Sequence, residues 1–158
     1  MSIKKYIAWL REHDACAEAI AWSEARADFA ACYRDCANPE WLLWLLDHAG
    51  LLDDRRARLY GCWCVRYTPL ADGRVVWDLL TDERSRAAVE VAERYAVGEA
   101  NDDELDAARY AAWTATWIAA WYAAWTAQCA RIREVWPVDE VAAAITSPNP
   151  TPTERNER

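Results

Sequence analysis

Residues 101–136 read NDDELDAARYAAWTATWIAAWYAAWTAQCARIREVW, and this stretch decides the fold class. Asn101 stands at an N-cap, Glu104 completes a capping box three places on, and Asp102 and Asp103 set further negative charge at the positive end of the dipole. No glycine or proline follows until Pro137. The pattern predicts one helix over residues 102–136, about 52 Å long at roughly 1.5 Å per residue. Within it Trp113, Trp117, Trp121 and Trp125 recur every four residues, with Tyr110 and Tyr122 beside them and alanine filling much of the rest. Four residues turn a helix by about 400°, so the rings make a stripe that winds by roughly 40° a step.

An apolar stripe at helical spacing is ordinarily a core seam. Tryptophan is also enriched in binding hot spots, and its face accepts cations, so part of the ladder is a candidate groove or self-association seam. Residues 110–130 carry no charge and are long enough to span a bilayer. Ile118 is their only strongly lipophilic aliphatic residue, however, and tryptophan prefers the membrane interface. No membrane association is expected.

Working outward, the remaining breakers mark shorter helices. Gly98 ends a segment over 81–97 whose inner face is expected to hold Ala88, Val91, Ala92 and Tyr95. A helix from about 53 to 67 stops at Thr68-Pro69, Asp72-Gly73 is a turn, and 75–80 reads as a helical turn or a short extended piece. Asn38-Pro39-Glu40-Trp41 is a helix start, and Trp41–Leu46 is apolar all round, which places that helix in the core. Residues 3–10 and 14–32 read as two earlier helices. The expected architecture is all-α: one helical domain over 1–137, a bundle of about six helices around the long Ala/Trp-rich one. A short helix over 138–146 and a disordered tail over 147–158 follow.

Composition agrees. The chain has 158 residues, four glycines, one Phe and one Met, but 11 Trp and seven Tyr, so large flat rings must fill the gaps between alanine-lined helices. The net charge of −8 excludes a general nucleic-acid binder, which needs a basic face. The N-terminus lacks the apolar core of a secretory signal, which places the chain in the cytoplasm of a bacterial host, where thiols stay reduced.

Chemistry-bearing motifs are few. Cys32 and Cys36 lie four apart and Cys62-Trp63-Cys64 is a C-x-C pair, yet neither has the usual zinc-knuckle spacing, so buried apolar thiols are expected and no metal. His13 and His48 are the only histidines, and nothing local pairs either with a nucleophile. There is no P-loop, G-x-S-x-G or H-E-x-x-H, so neither catalysis nor a cofactor is expected. Arg58, Arg66 and Arg109 would hold an anion if the fold gathered them.

The segments REHDACAEAIAW, PEWLLWLLDHAG and VEVAERYAVGEANDDELDAARYAAW, spread over most of residues 11–137, resemble a family of small helical immunity proteins of bacteriophages and bacteria. The matching features are Cys16 with Glu18, the core at Trp41–Leu46, Gly98-Glu99-Ala100 and the capped Ala-rich helix. They are packing and capping signatures. Departures are the dense tryptophan ladder, where the family pattern has Ala and Tyr, and the proline-rich tail. The resemblance implies a non-catalytic role in phage–host or toxin–immunity conflict, blocking a toxin or defence protein through a helical surface. Two further expectations stand beside it. One is sequestration of a small nucleotide-type signal by Trp stacking and Arg, the other a self-associating structural phage protein. The binding candidates are Tyr110, Trp113, Trp117, Trp121, Tyr122, Trp125, Arg58, Arg66 and Arg109.

Overall fold

In a computed structural model, which describes residues 1–108 and 125–147, all regular structure among the described residues is helical. Contacts divide the chain into two compact units, Met1–Leu52 with the segment from Trp136 onward, and Asp53–Val135.

The first unit holds α1 (Ile3–Glu12), α2 (Ala17–Glu24), α3 (Phe29–Asp35) and α4 (Pro39–His48), joined by the last helix of the chain, Val138–Thr146. The single helix expected over 14–32 is two. α2 stops at Glu24, and Asp28 starts α3 afresh by accepting a 2.8 Å bond from the Ala31 amide, while Asp14, with a left-handed φ of 56°, separates α1 from α2. Apolar periodicity ran through this break unnoticed because Trp22 and Phe29 both face inward from separate helices. Asn38 caps α4 as predicted, accepting from the Glu40 and Trp41 amides, and Gly50 ends it at φ 71°. Leu42, Leu45 and Leu46 are buried, whereas Trp41, Leu43 and Trp44 are half-buried, so the all-round apolar helix has one face short of the core. Trp136 is fully buried here. Its Nε1–H donates to the Leu51 carbonyl at 3.0 Å, and its own carbonyl accepts from the Tyr33 hydroxyl at 2.7 Å. Those two bonds bring the C-terminal segment back across more than eighty residues of chain.

The second unit is built on the pair α5 (Asp54–Tyr67) and α6 (Glu83–Ala96). Asp53 and Asp82 cap them through bonds from the Arg56 and Arg84 amides. Cys62 and Val65 of α5 meet Val89 and Ala92 of α6 over Val76 and Leu80. The inner face of α6 is therefore Ser85, Ala88, Val89, Ala92 and Ala96, one residue round from the expected Val91 and Tyr95, which are half-buried. Residues 75–80 combine both expected forms, with Val75 bridging to Pro69 and Val76–Leu79 making a 3-10 turn.

Residues 102–108 are helical (α7), and the capping box is complete, with Asn101 Oδ1 accepting from the Glu104 amide at 3.0 Å and Glu104 Oε2 from the Asn101 amide at 3.1 Å. The helix Trp125–Val135 (α8) ends just before Pro137, and Val138–Thr146 becomes α9. Both ends of the long-helix prediction are thus helical, while 109–124 and the tail from 148 lie outside the described residues. Among the described residues no helix is long and apolar enough to cross a membrane.

Candidate ligand site

Of the sequence-predicted candidates, Arg109, Tyr110, Trp113, Trp117, Trp121 and Tyr122 lie outside the described residues. Trp125 opens α8 with 48% of its surface exposed. Arg66 makes a bidentate pair with Glu93, at 2.5 and 2.7 Å, and its guanidinium lies 4.2 Å from the centroid of Trp77. The Glu93 hydrogen bonds hold its charged form. Its positive charge is already matched, which leaves little for an incoming anion. Arg58 lies over Tyr95 at 5.0 Å and borders an open groove of about 360 Å³ floored by Gly61.

A different set of residues forms a cavity of about 250 Å³ wholly within the first unit, where α1 to α4 meet. Its floor is made by buried Tyr6, Leu10 and Leu42. Its walls are the half-buried rings of Trp22, Trp41 and Trp44, and exposed Cys16 and Glu40 stand at its mouth. Trp22 and Trp41 meet edge to face, their centroids 6.0 Å apart at 63°, an arrangement that suits the ring quadrupoles but leaves a corner that neither ring fills. Opposite polar groups are mostly spoken for. Tyr33 donates to the Trp136 carbonyl, Cys32 Sγ to the Ser23 carbonyl at 3.7 Å, and Cys36 Sγ to the Asn38 carbonyl at 3.4 Å. Burial pushes the Tyr6 hydroxyl and the Cys32 thiol up from their ordinary values.

Sequence reading passed over this site because its tryptophans sit on different helices, with no common period. A local signal was present. The pentads Trp9-Leu10-Arg11-Glu12-His13 and Trp44-Leu45-Leu46-Asp47-His48 share a Trp-Leu-x-acid-His pattern. In each, the histidine Nδ1–H donates to the tryptophan carbonyl at 2.9 Å and its ring stacks on the indole, at 4.2 Å in the first and 4.0 Å in the second. The two pairs also touch, Trp9 on Trp44 at 6.0 Å and His13 on His48 at 6.1 Å.

Five of the six cysteines are packed thiols; Cys16, at the start of α2, is exposed instead of filling the core. Cys32 and Cys36 belong to one unit, Cys62 and Cys64 to the other. Burial raises Cys62 and Cys64 to about 11, and Cys62 Sγ donates to the Val89 carbonyl. Among the described residues no group of three or more His, Cys, Asp or Glu is placed to hold a metal. No family model matches the chain, and no curated protein or solved structure matches it either.

Proposed function

We propose that this chain is a non-catalytic binding protein that takes a small ligand into the aromatic cavity of its first unit. The single observation that carries the reading is a concave, largely apolar space walled by three tryptophans and open at Glu40. The Cys32 thiol, held protonated by burial, is a weak nucleophile. The test is a titration of the purified protein with organic cations, nucleosides and neutral aromatics, followed by tryptophan fluorescence and melting temperature. Saturable binding that Trp41→Leu removes, with helicity by circular dichroism unchanged, supports the reading. Silence across the whole panel refutes it.

A second reading, blockade of a toxin or defence protein in phage–host or toxin–immunity conflict, is favoured by a separate observation. Tyr67, Val97 and Trp125 of the second unit are 58%, 51% and 48% exposed, and the net charge of −8 suits a basic partner. In that reading 102–108 and 125–135 belong to one long helix with about six others round it, and the ladder supplies the docking face in the host cytoplasm. Co-purification from the native host, repeated with purified components, tests it. A stable monomer by light scattering at high concentration removes self-association along the ladder.

A further inference from the structure

We infer that the aromatic cavity is a cation cage, whose ligand is a small ammonium ion carrying alkyl groups in place of its N–H hydrogens. This rests on the reading of the cavity as a ligand site and names what enters it.

Shape comes first. A planar base is held best in a slot between parallel rings, but Trp22 and Trp41 stand at 63° to each other, and Trp44 is already stacked on His48 at 25°. Angled walls present ring faces and edges around a rounded object. The volume of about 250 Å³ is below the roughly 300 Å³ at which drug-sized pockets begin, so it fits a compact head group with a short tail.

Charge comes next. Glu40 is the only charged side chain lining the cavity, and no cation pairs with its carboxylate among the described residues. A phosphate at the mouth would meet that carboxylate with no arginine to offset it. Arg58 and Arg66 belong to the other unit, and Arg26 does not line the space. Arg26 instead shows what these rings accept, since its guanidinium lies 3.8 Å from the Trp22 centroid.

Hydrogen bonding then separates one kind of cation from another. A primary ammonium brings three donors that need acceptors. Here Ser23 and Asn38 carbonyls already receive the Cys32 and Cys36 thiols, and the Tyr33 hydroxyl is turned to Trp136. An ammonium with its nitrogen covered by alkyl groups needs none, because its charge is spread over C–H surfaces that rest on ring faces while Glu40 balances it from the mouth.

Choline and its neutral isostere 3,3-dimethylbutan-1-ol are the decisive probes, measured by calorimetry and tryptophan fluorescence on the full chain. Choline is expected to bind at least about tenfold more tightly than the alcohol, the factor that the cation alone contributes in an aromatic cage. Glu40→Gln, a near-isosteric change at an exposed position, should weaken choline roughly three- to tenfold and leave the alcohol unchanged, with helicity by circular dichroism unaltered. Equal binding of choline and the alcohol, or binding of a nucleoside with choline inactive, overturns the cation assignment and keeps the cavity as a ligand site. If no probe of any class changes fluorescence or melting, both fall.

Discussion

Ala19 lies on α2, half-buried, and its methyl group borders the cavity. Ala19→Leu adds three carbons pointing into about 250 Å³ of unfilled space. Full burial of three carbons at about 0.8 kcal/mol each would contribute roughly 2.4 kcal/mol, and an open cavity realises less than half of it, about 1 kcal/mol. Leucine and alanine differ little in helix propensity, so α2 itself is nearly indifferent. A gain of that size in a chain of 158 residues raises the melting temperature by about 2–4 °C. The same three carbons occupy the ligand's place, so choline affinity should fall at least about tenfold while stability rises, the trade-off expected of a cavity kept for occupancy. The assay is a paired one, urea unfolding for stability and calorimetry for choline on the same preparation. Destabilisation by about 1 kcal/mol or more would mean the site is already packed and the added carbons strain it. A more stable variant that still binds choline would place the ligand elsewhere.

Four other perturbations test the two units, two in each. Tyr33→Phe removes the hydroxyl from the buried Trp136 carbonyl and should cost about 1–3 kcal/mol in urea unfolding, while Trp136→Ala, which empties the largest fully buried side chain, should cost about 3–5 kcal/mol. Cys62 and Cys64 are raised by burial from 9.0 to about 11, so their contribution is fully present below pH 9.0 and falls as the unfolded thiols ionise between there and about pH 11. Urea midpoints should therefore decline from pH 8 to 10.5, and a flat profile would contradict the burial of both thiols. Asn101→Ala breaks the capping box and should destabilise by about 0.5–2 kcal/mol, whereas a neutral result would mean that α7 does not need its cap.

Caps and breakers were the most legible part of this chain, because each is a chemical event between neighbouring residues. Asn38, Asp53 and Asn101 cap, and Gly50 and Gly98 take φ of 71° and 81° where the helices stop. The break inside 14–32 was missed because Trp22, Arg26 and Phe29 keep helical spacing across it, and the cap that restarts the chain, Asp28, has no glycine or proline beside it. On α6, Ala88 and Ala92 are buried as expected, but Val91 and Tyr95 stand to one side, because alanine, serine and valine there carry too little contrast to fix a helix's rotation. Tertiary contact with Cys62 and Val65 chose Val89 over Val91. Arg66 was legible as a cation but not as one already held, since Glu93 and Trp77 reach it from 27 and 11 residues away. The cavity depends on four helices meeting, and no window of sequence contains it.

What the sequence does contain is a clamp on two of the cavity's three tryptophans, Trp22 and Trp44, and on Trp9, which touches Trp44. An aromatic cage gains affinity only if its rings stand in place before the ligand arrives. Trp9, Trp22 and Trp44 each lie near the end of a helix, and each is followed four residues later by a side chain that bonds its carbonyl: His13, Arg26 and His48, at 2.9, 3.0 and 2.9 Å. The same side chain lies on the indole, as a stacked imidazole twice and as a guanidinium once. One residue thus adds a bond to a carbonyl at the helix end and fixes a ring that would otherwise turn about χ2. In the ladder the residue four places after Trp113, Trp117 and Trp121 is another tryptophan, so the clamp position is taken by apolar surface instead. Trp-x-x-x-His or Arg is therefore the spacing of a held ring, and Trp-x-x-x-Trp the spacing of a stripe that needs another surface to hold it. Of the three tryptophans around Glu40, Trp22 and Trp44 have the first spacing, while Trp41, with Leu45 four places on, is held by its edge-to-face contact with Trp22.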